Sequence, residues 1–205
     1  MKKRIKICRF NEAGLLPSFE GATQVSTNLS KELSLIGVDV VIFQVHRGWS
    51  EDFDLLKKQP FKTYLLNEEL FYNDFFEVVK LIRYEEIDIV VFHDCERLYS
   101  LAGFIKREIP NIKIFFEAHD IIPDFLTSLN REKHEILESQ KILKEVISYC
   151  DFIMCLTKAD FNSLINYGAN PNRMAVISAG TNISNIEYMG TNSLTKNNIL
   201  FLGNM

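Results

Sequence analysis

From Cys150 to Asn182 the chain reads CDFIMCLTKADFNSLINYGANPNRMAVISAGTN, and this stretch most narrows what the chain can fold into. Asp151 to Thr157 is apolar nearly throughout and predicts a short buried strand. Lys158 to Tyr167 is compatible with a helix, with Phe161, Leu164 and Ile165 at helical spacing. Gly168 is placed to cap that helix, Pro171 follows, and Arg173 to Ser178 predicts a second strand. A strand, a helix and a strand in close succession form a crossover unit, the connection that parallel strands require.

The same alternation runs through the chain. Ile5 to Phe10 predicts the first strand, and a loop from Asn11 to Glu20 leads to Gly21 and a helix with an apolar face of Ala22, Val25, Leu29, Leu33 and Ile36. Gly37 can adopt the left-handed conformation that ends it. Val38 to Val45 is a near-continuous apolar strand, as expected where both faces of a sheet are covered. His46 to Pro60 reads as irregular or briefly helical, and Phe61 to Leu66 as a third strand. Glu68 to Tyr84 predicts one helix with Phe71, Phe75, Val78, Val79 and Ile82 in a stripe. Ile87 to Phe92 follows as strand, Glu96 to Arg107 as helix and Ile112 to Ala118 as strand. Ile121 to Asn130 stays ambiguous. Arg131 to Tyr149 predicts a long helix with Ile136, Leu137, Gln140, Leu143 and Ile147 inward. Strands spaced by helices call for right-handed crossovers, hence an α/β fold with a Rossmann-like, doubly wound, mainly parallel sheet and helices on both faces.

Composition excludes some functions. The net charge of −4 disfavours wholesale binding of nucleic acid. Lys2, Lys3, Arg4 and Lys6 are not followed by an apolar h-region, and no apolar run reaches membrane-spanning length. These charges read as a solvated strand start, or as a weak peripheral contact with anionic lipid at the inner face of a membrane. Cys8, Cys95, Cys150 and Cys155 are scattered without a C-x-x-C, supporting neither a disulfide framework nor a zinc site and fitting a reducing cytoplasm.

The unit from Cys150 to Asn182, with the strand ends before it, resembles glycosyltransferase family 4, the retaining enzymes of the GT-B fold. The resemblance covers essentially the whole chain and is strongest from Asp88 onward. It implies that residues 1–180 form the N-terminal, acceptor-side domain. Residues 181–197, rich in Asn, Ser, Thr and Gly, read as a linker, and 198–205 as the first strand of a second, donor-binding domain cut short. In the family that strand ends in glycine–arginine, and the arginine holds the donor pyrophosphate; here Asn204 follows Gly203. Two further departures are Asp39, where the family often has histidine, and Ala179-Gly180-Thr181-Asn182 in place of asparagine–glycine–valine–aspartate.

In open α/β sheets ligands bind beyond the carboxyl ends of the strands. His119, followed by Asp120, matches the family's strand-end histidine that contacts the reacting sugar, and is the candidate catalytic residue. A neutral imidazole there can donate to a sugar hydroxyl; an imidazolium would stabilise charge on the leaving phosphate. The resemblance adds Gly21, His93, Asp94, Asp120 and Thr157 as candidate substrate-binding residues. Glu20 joins them as a departure, standing where the family usually has the first of two glycines, with a carboxylate that would repel phosphate and could hydrogen-bond sugar hydroxyls. Each has a plainer reading: Gly21 as a helix start relieved of steric crowding, His93 and Asp94 as an ordinary strand terminus, Thr157 as a cap. Ile121 to Leu126 reads as a buried turn and helix start, or as the lining of an acceptor pocket. The sequence contains neither G-x-G-x-x-G nor G-K-[ST], and no acidic triplet with metal-ligand spacing. No cofactor or metal is implied; the nucleotide-sugar is a substrate. The implied function is transfer of a sugar from a nucleotide-sugar to a glycan or glycolipid acceptor, with the 205-residue chain inactive by itself. Two alternatives remain: part of a sugar-nucleotide epimerase of the same architecture, and a non-catalytic half-domain that binds a partner glycosyltransferase or a glycan.

Overall fold

A computed structural model describes residues 4–12, 21–46, 53–93, 98–178 and Gly180. Seven strands form one sheet in the order β3-β2-β1-β4-β5-β6-β7. They are β1 (Lys6–Asn11), β2 (Asp39–Val45), β3 (Lys62–Leu66), β4 (Ile89–His93), β5 (Lys113–Ala118), β6 (Phe152–Cys155) and β7 (Met174–Val176). Every neighbouring pair is parallel. The chain builds outward from β1 to β3, then returns to the other side of β1 with β4. The sheet therefore has its topological switch between β1 and β4, where open α/β sheets form a crevice. The expected doubly wound fold is present. The linker and second-domain strand expected over 181–205 lie outside the described residues, as do Cys95, Lys2 and Lys3.

The helices are α1 (Gly21–Leu35), α2 (Phe53–Lys57), α3 (Glu68–Tyr72), α4 (Phe75–Tyr84), α5 (Tyr99–Glu108), α6 (Ile122–Ser128), α7 (Lys133–Tyr149) and α8 (Lys158–Asn166). One face of the sheet carries the main core, in which Cys8, Phe10, Phe43, Val90, Phe92 and Phe116 pack against Val79, Ile82, Leu101, Ile105 and Val146. The opposite face has a smaller core, where Ile7, Val40 and Ile42 meet Leu56 and Phe61. Gly37 and Gly168 both have positive φ, which ends α1 and α8 as the sequence predicts.

Three expectations need correction. The single helix over 68–84 is two. Asp74 accepts a hydrogen bond from the Glu77 amide at 3.2 Å and caps a fresh helix, because a short carboxylate competes for free amides better than it continues a helix. On α7, Leu143 and Val146 are buried but Leu137 is 53% exposed. The third correction concerns α1. Its buried face is Thr23, Ser26, Thr27 and Ser30, while Val25, Leu29 and Leu33 are half-buried and Ile36 is exposed. Hydroxyl side chains allow close helix–sheet approach, and two of them satisfy themselves locally: Ser30 donates to the Ser26 carbonyl at 2.7 Å and Ser34 to the Ser30 carbonyl at 2.8 Å.

The amino-terminal edge of the sheet is tied by ion pairs. Glu85 receives Lys6 and Lys62, each at 2.6 Å, and Asp151 receives Lys106 at 2.5 Å and Lys113 at 3.0 Å. Of the basic opening, Lys6 is thus committed to an ion pair, whereas Arg4 is exposed. Asp39 begins β2 on this same edge, 3.7 Å from Lys6. No helix among the described residues is long and apolar enough to cross a membrane.

Candidate functional site

Parallel strands bring the residues that follow β1, β4, β5 and β6 to one edge. Gly21, His93, His119 and Thr157 all stand there: Gly21 opens α1 after β1, His93 ends β4, His119 follows β5 and Thr157 follows β6. Glu20 and Asp94 lie outside the described residues.

Register then assembles a cluster. His93 pairs with Glu117 on the neighbouring strand, so the alternation of side chains puts both on the same face. Arg9 pairs with Val91, two residues before His93, and its long side chain reaches across β4. Its guanidinium grips Glu117 bidentately, Nη1 to Oε1 at 2.8 Å and Nη2 to Oε2 at 2.6 Å. The Ser26 hydroxyl of α1 accepts from Nη2 at 3.4 Å. Arg9 is 2% exposed and Glu117 5%. His93 Nδ1 lies 3.2 Å from Glu117 Oε2; a carboxylate already held by two N–H groups only accepts, which puts a proton on Nδ1.

His119 completes the group. Its ring packs on that of His93, with centroids 3.9 Å apart and planes at 44°. It is half-buried and opens onto a cavity of about 980 Å³. The cavity lies against the sheet between Val25 and Leu29 of α1 and Val91, Phe115 and Met154 of the strands, with Arg9, Glu117 and His119 as its polar end.

The electrostatics follow from burial and pairing. Burial alone would raise the Glu117 carboxyl, but the Arg9 charge and the hydrogen bond from His93 reverse this and hold it at about 2. Burial first, and then His93, press His119 down to about 4, with Glu117 and Asp120 opposing. At neutral pH His119 is therefore an uncharged imidazole, able to donate from one nitrogen and accept at the other. Of the two protonation states the sequence left open, the uncharged one prevails.

His93, Glu117 and His119 have ligand atoms within 4.8 Å of one another. A divalent cation among them would lie against the Arg9 charge and compete with it for the same carboxylate oxygens, so these residues do not suit a metal. They suit a hydrogen-bonded cluster of Arg9, Glu117 and His93 with the His119 ring packed on it.

The remaining candidates separate. Thr157 forms a capping box with Asp160: its Oγ1 accepts from the Asp160 amide at 3.1 Å and donates to the Asp160 carboxylate at 2.7 Å. The hydroxyl is thus occupied as a cap, an arrangement contributing about 1 kcal/mol. Asp120 is exposed beside His119. In the stretch after it, Ile121 and Pro123 are buried while Phe125 is 54% exposed, and Asp124 accepts from Tyr167 Oη at 2.7 Å. Arg9 and Glu117 were missed as site residues. The signal existed, since a charged residue inside an otherwise apolar strand must find a partner if buried.

A family model described as Glycosyltransferase Family 4 matches residues 19–185, well over half the chain. The chain belongs to glycosyltransferase family 4. No curated protein sequence matches it. Solved structures similar to this family 4 chain include the apo form of the lipopolysaccharide outer core galactosyltransferase WaaB, with a TM-score of 0.62 and 16% identity over 88% of this chain and 47% of that one. HepE from Anabaena, in complex with UDP-glucose, gives a TM-score of 0.61 and 14% identity over 88% and 45%. Sucrose-phosphate synthase from Thermosynechococcus elongatus gives 0.66 and 12% over 88% and 49%. At these identities the likeness is one of fold. This family 4 chain spans about half the length of each.

In this family 4 domain the depressed His119 makes stability depend on pH. The unfolded chain takes up the His119 proton near pH 6.5, the folded chain only near 4. Stability should therefore fall as pH drops from about 6.5 to about 4. The lowered carboxyls of Glu85, Glu117 and Asp151, each at about 2, act below that window. Urea midpoints measured at steps across it should decline in the wild type and flatten in His119→Gln; identical slopes would show that His119 titrates as in the unfolded chain.

Proposed function

We propose that this domain is the acceptor-side half of a retaining glycosyltransferase that moves a sugar from a nucleotide-sugar to a glycan or glycolipid acceptor. The observation supporting this most is His119: an uncharged, half-exposed imidazole beyond the carboxyl end of β5, beside the sheet's switch point and open to the cavity. In this reading its N–H donates to a hydroxyl of the transferred sugar, a bond that strengthens as the sugar–phosphate bond breaks. The anionic donor is held by a second domain, and metal assistance is not part of the scheme. In the same reading Glu20, Gly21, Asp94 and Asp120 contribute to binding the acceptor. The enzyme works in the cytoplasm, against lipid-linked or soluble acceptors.

With donor recognition placed elsewhere, the 205-residue chain alone transfers no sugar and binds nucleotide-sugars weakly. Calorimetric titration with UDP-, GDP- and ADP-sugars tests this. Dissociation constants in the millimolar range or weaker are expected, a binding free energy no more favourable than about −4 kcal/mol. Micromolar binding of any one would contradict the division of labour and favour a half-domain with a binding function of its own.

A further inference from the structure

The proposed reaction assigns work to His119 and leaves unexplained why a bidentate ion pair is buried beside it. Burying Arg9 and Glu117 together contributes little to stability compared with apolar residues of similar volume. Its consequence is geometric. Glu117 Oε2 faces His93 Nδ1 at 3.2 Å and simultaneously holds Arg9 Nη2 at 2.6 Å. This leaves Oε2 one direction for His93 and fixes both the ring plane and the protonated nitrogen. His93 Nε2 is buried and has no hydrogen-bond partner among the described residues. Glu117 is thus the only polar tether of this ring among those residues, and the ring it tethers is the one on which His119 packs.

We propose that Arg9, Glu117 and His93 are positioning residues for His119: the ion pair locks His93 in its Nδ1–H tautomer, and the locked ring sets the orientation of His119 toward the cavity. This rests on the reading that His119 faces the transferred sugar. The chain of contact runs Ser26, Arg9, Glu117, His93, His119, so α1, β1, β5 and β4 all bear on one imidazole. Among the described residues, the charged and titratable groups that act on His119 include His93, Glu117, Arg9 and Asp120.

The test needs no sugar transfer, so its failure is distinct from failure of the functional reading. The chain has four histidines, and long-range proton–nitrogen spectra of the imidazoles report each tautomer directly. In the wild type His93 should show a protonated Nδ1 and a bare Nε2, the reverse of the usual preference, with cross-relaxation between the His93 and His119 rings. In the double variant Arg9→Met/Glu117→Leu, folded by its amide spectrum, the His93 tautomer should revert to a mixture and the ring-to-ring signal should be lost. An unchanged tautomer and contact would overturn the proposal and leave the ion pair as a tie between strands. If that variant fails to fold, His93→Gln decides. Without the second imidazole the His119 ring should reorient, read as a changed set of cross-relaxation contacts with the other side chains that line the cavity, and an unchanged set would overturn the dependence of His119 on His93.

Discussion

Glu117→Leu should cost the domain about 3–5 kcal/mol, because it strands the Arg9 guanidinium in the interior without a counter-charge. Arg9 is 2% exposed, and its Nε already lacks a partner among the described residues. The pH linkage gives a similar size. A carboxyl held at about 2 rather than 4.5 contributes about 3 kcal/mol at neutral pH. That contribution is fully present above pH 4.5 and is lost as pH falls through 2. Replacing both partners, Arg9→Met with Glu117→Leu, removes the stranded charge and should restore the midpoint to near or above that of the wild type. Urea unfolding of the two variants separates the possibilities. If the single variant unfolds at the wild-type midpoint, Arg9 has found solvent and the pair is not truly buried.

His119→Ala should lower turnover of the domain joined to a donor-binding half by about 30- to 1000-fold, or about 2–4 kcal/mol in the barrier, the usual worth of one preorganised donor. Donor affinity should change far less, because the hydrogen bond strengthens only as charge develops. His119 carries no charge at neutral pH to attract the donor phosphates in the ground state. Comparing kcat with the directly measured donor Kd decides the matter. An equal loss in both would make His119 a binding group, and no loss would make it structural.

Much of the fold was legible because the physics that sets it is local. Apolar runs such as Val40–Phe43 and Val90–Phe92 must be buried strands, and Gly37 and Gly168 end helices by the conformation only glycine adopts cheaply. What the local pattern could not weigh was competition. Asn73 and Asp74 sit inside a helical stripe, and the stripe says nothing of the Asp74 carboxylate that restarts the helix. On α1 the apolar positions Val25, Leu29 and Leu33 suggested the buried face. The buried face instead carries Thr23, Ser26, Thr27 and Ser30, and Ser26 accepts from the buried Arg9. That outcome depends on a partner, Glu117, more than a hundred residues away.

The candidate site divides the same way. That His119 follows a strand at the carboxyl edge of the sheet was legible. Its uncharged state was not, because that comes from burial and from His93 lying against it. Thr157 was legible as a cap from its hydroxyl at the helix start, and the capping box with Asp160 agrees. His93 was visible as a strand-end candidate, with an ordinary strand terminus as its plainer reading. Its burial behind His119 follows from the register of β4 with β5, which no single strand reveals.

The most direct test of the account is the anomeric configuration of the product formed by the domain joined to a donor-binding half. Nuclear magnetic resonance of the product, after incubation with a nucleotide-sugar panel and acceptor glycans, reads it from one coupling constant. The account predicts a transferred sugar with the donor's anomeric configuration retained. A transferred sugar of inverted configuration, or a nucleotide-sugar epimerised with nothing transferred, would contradict it.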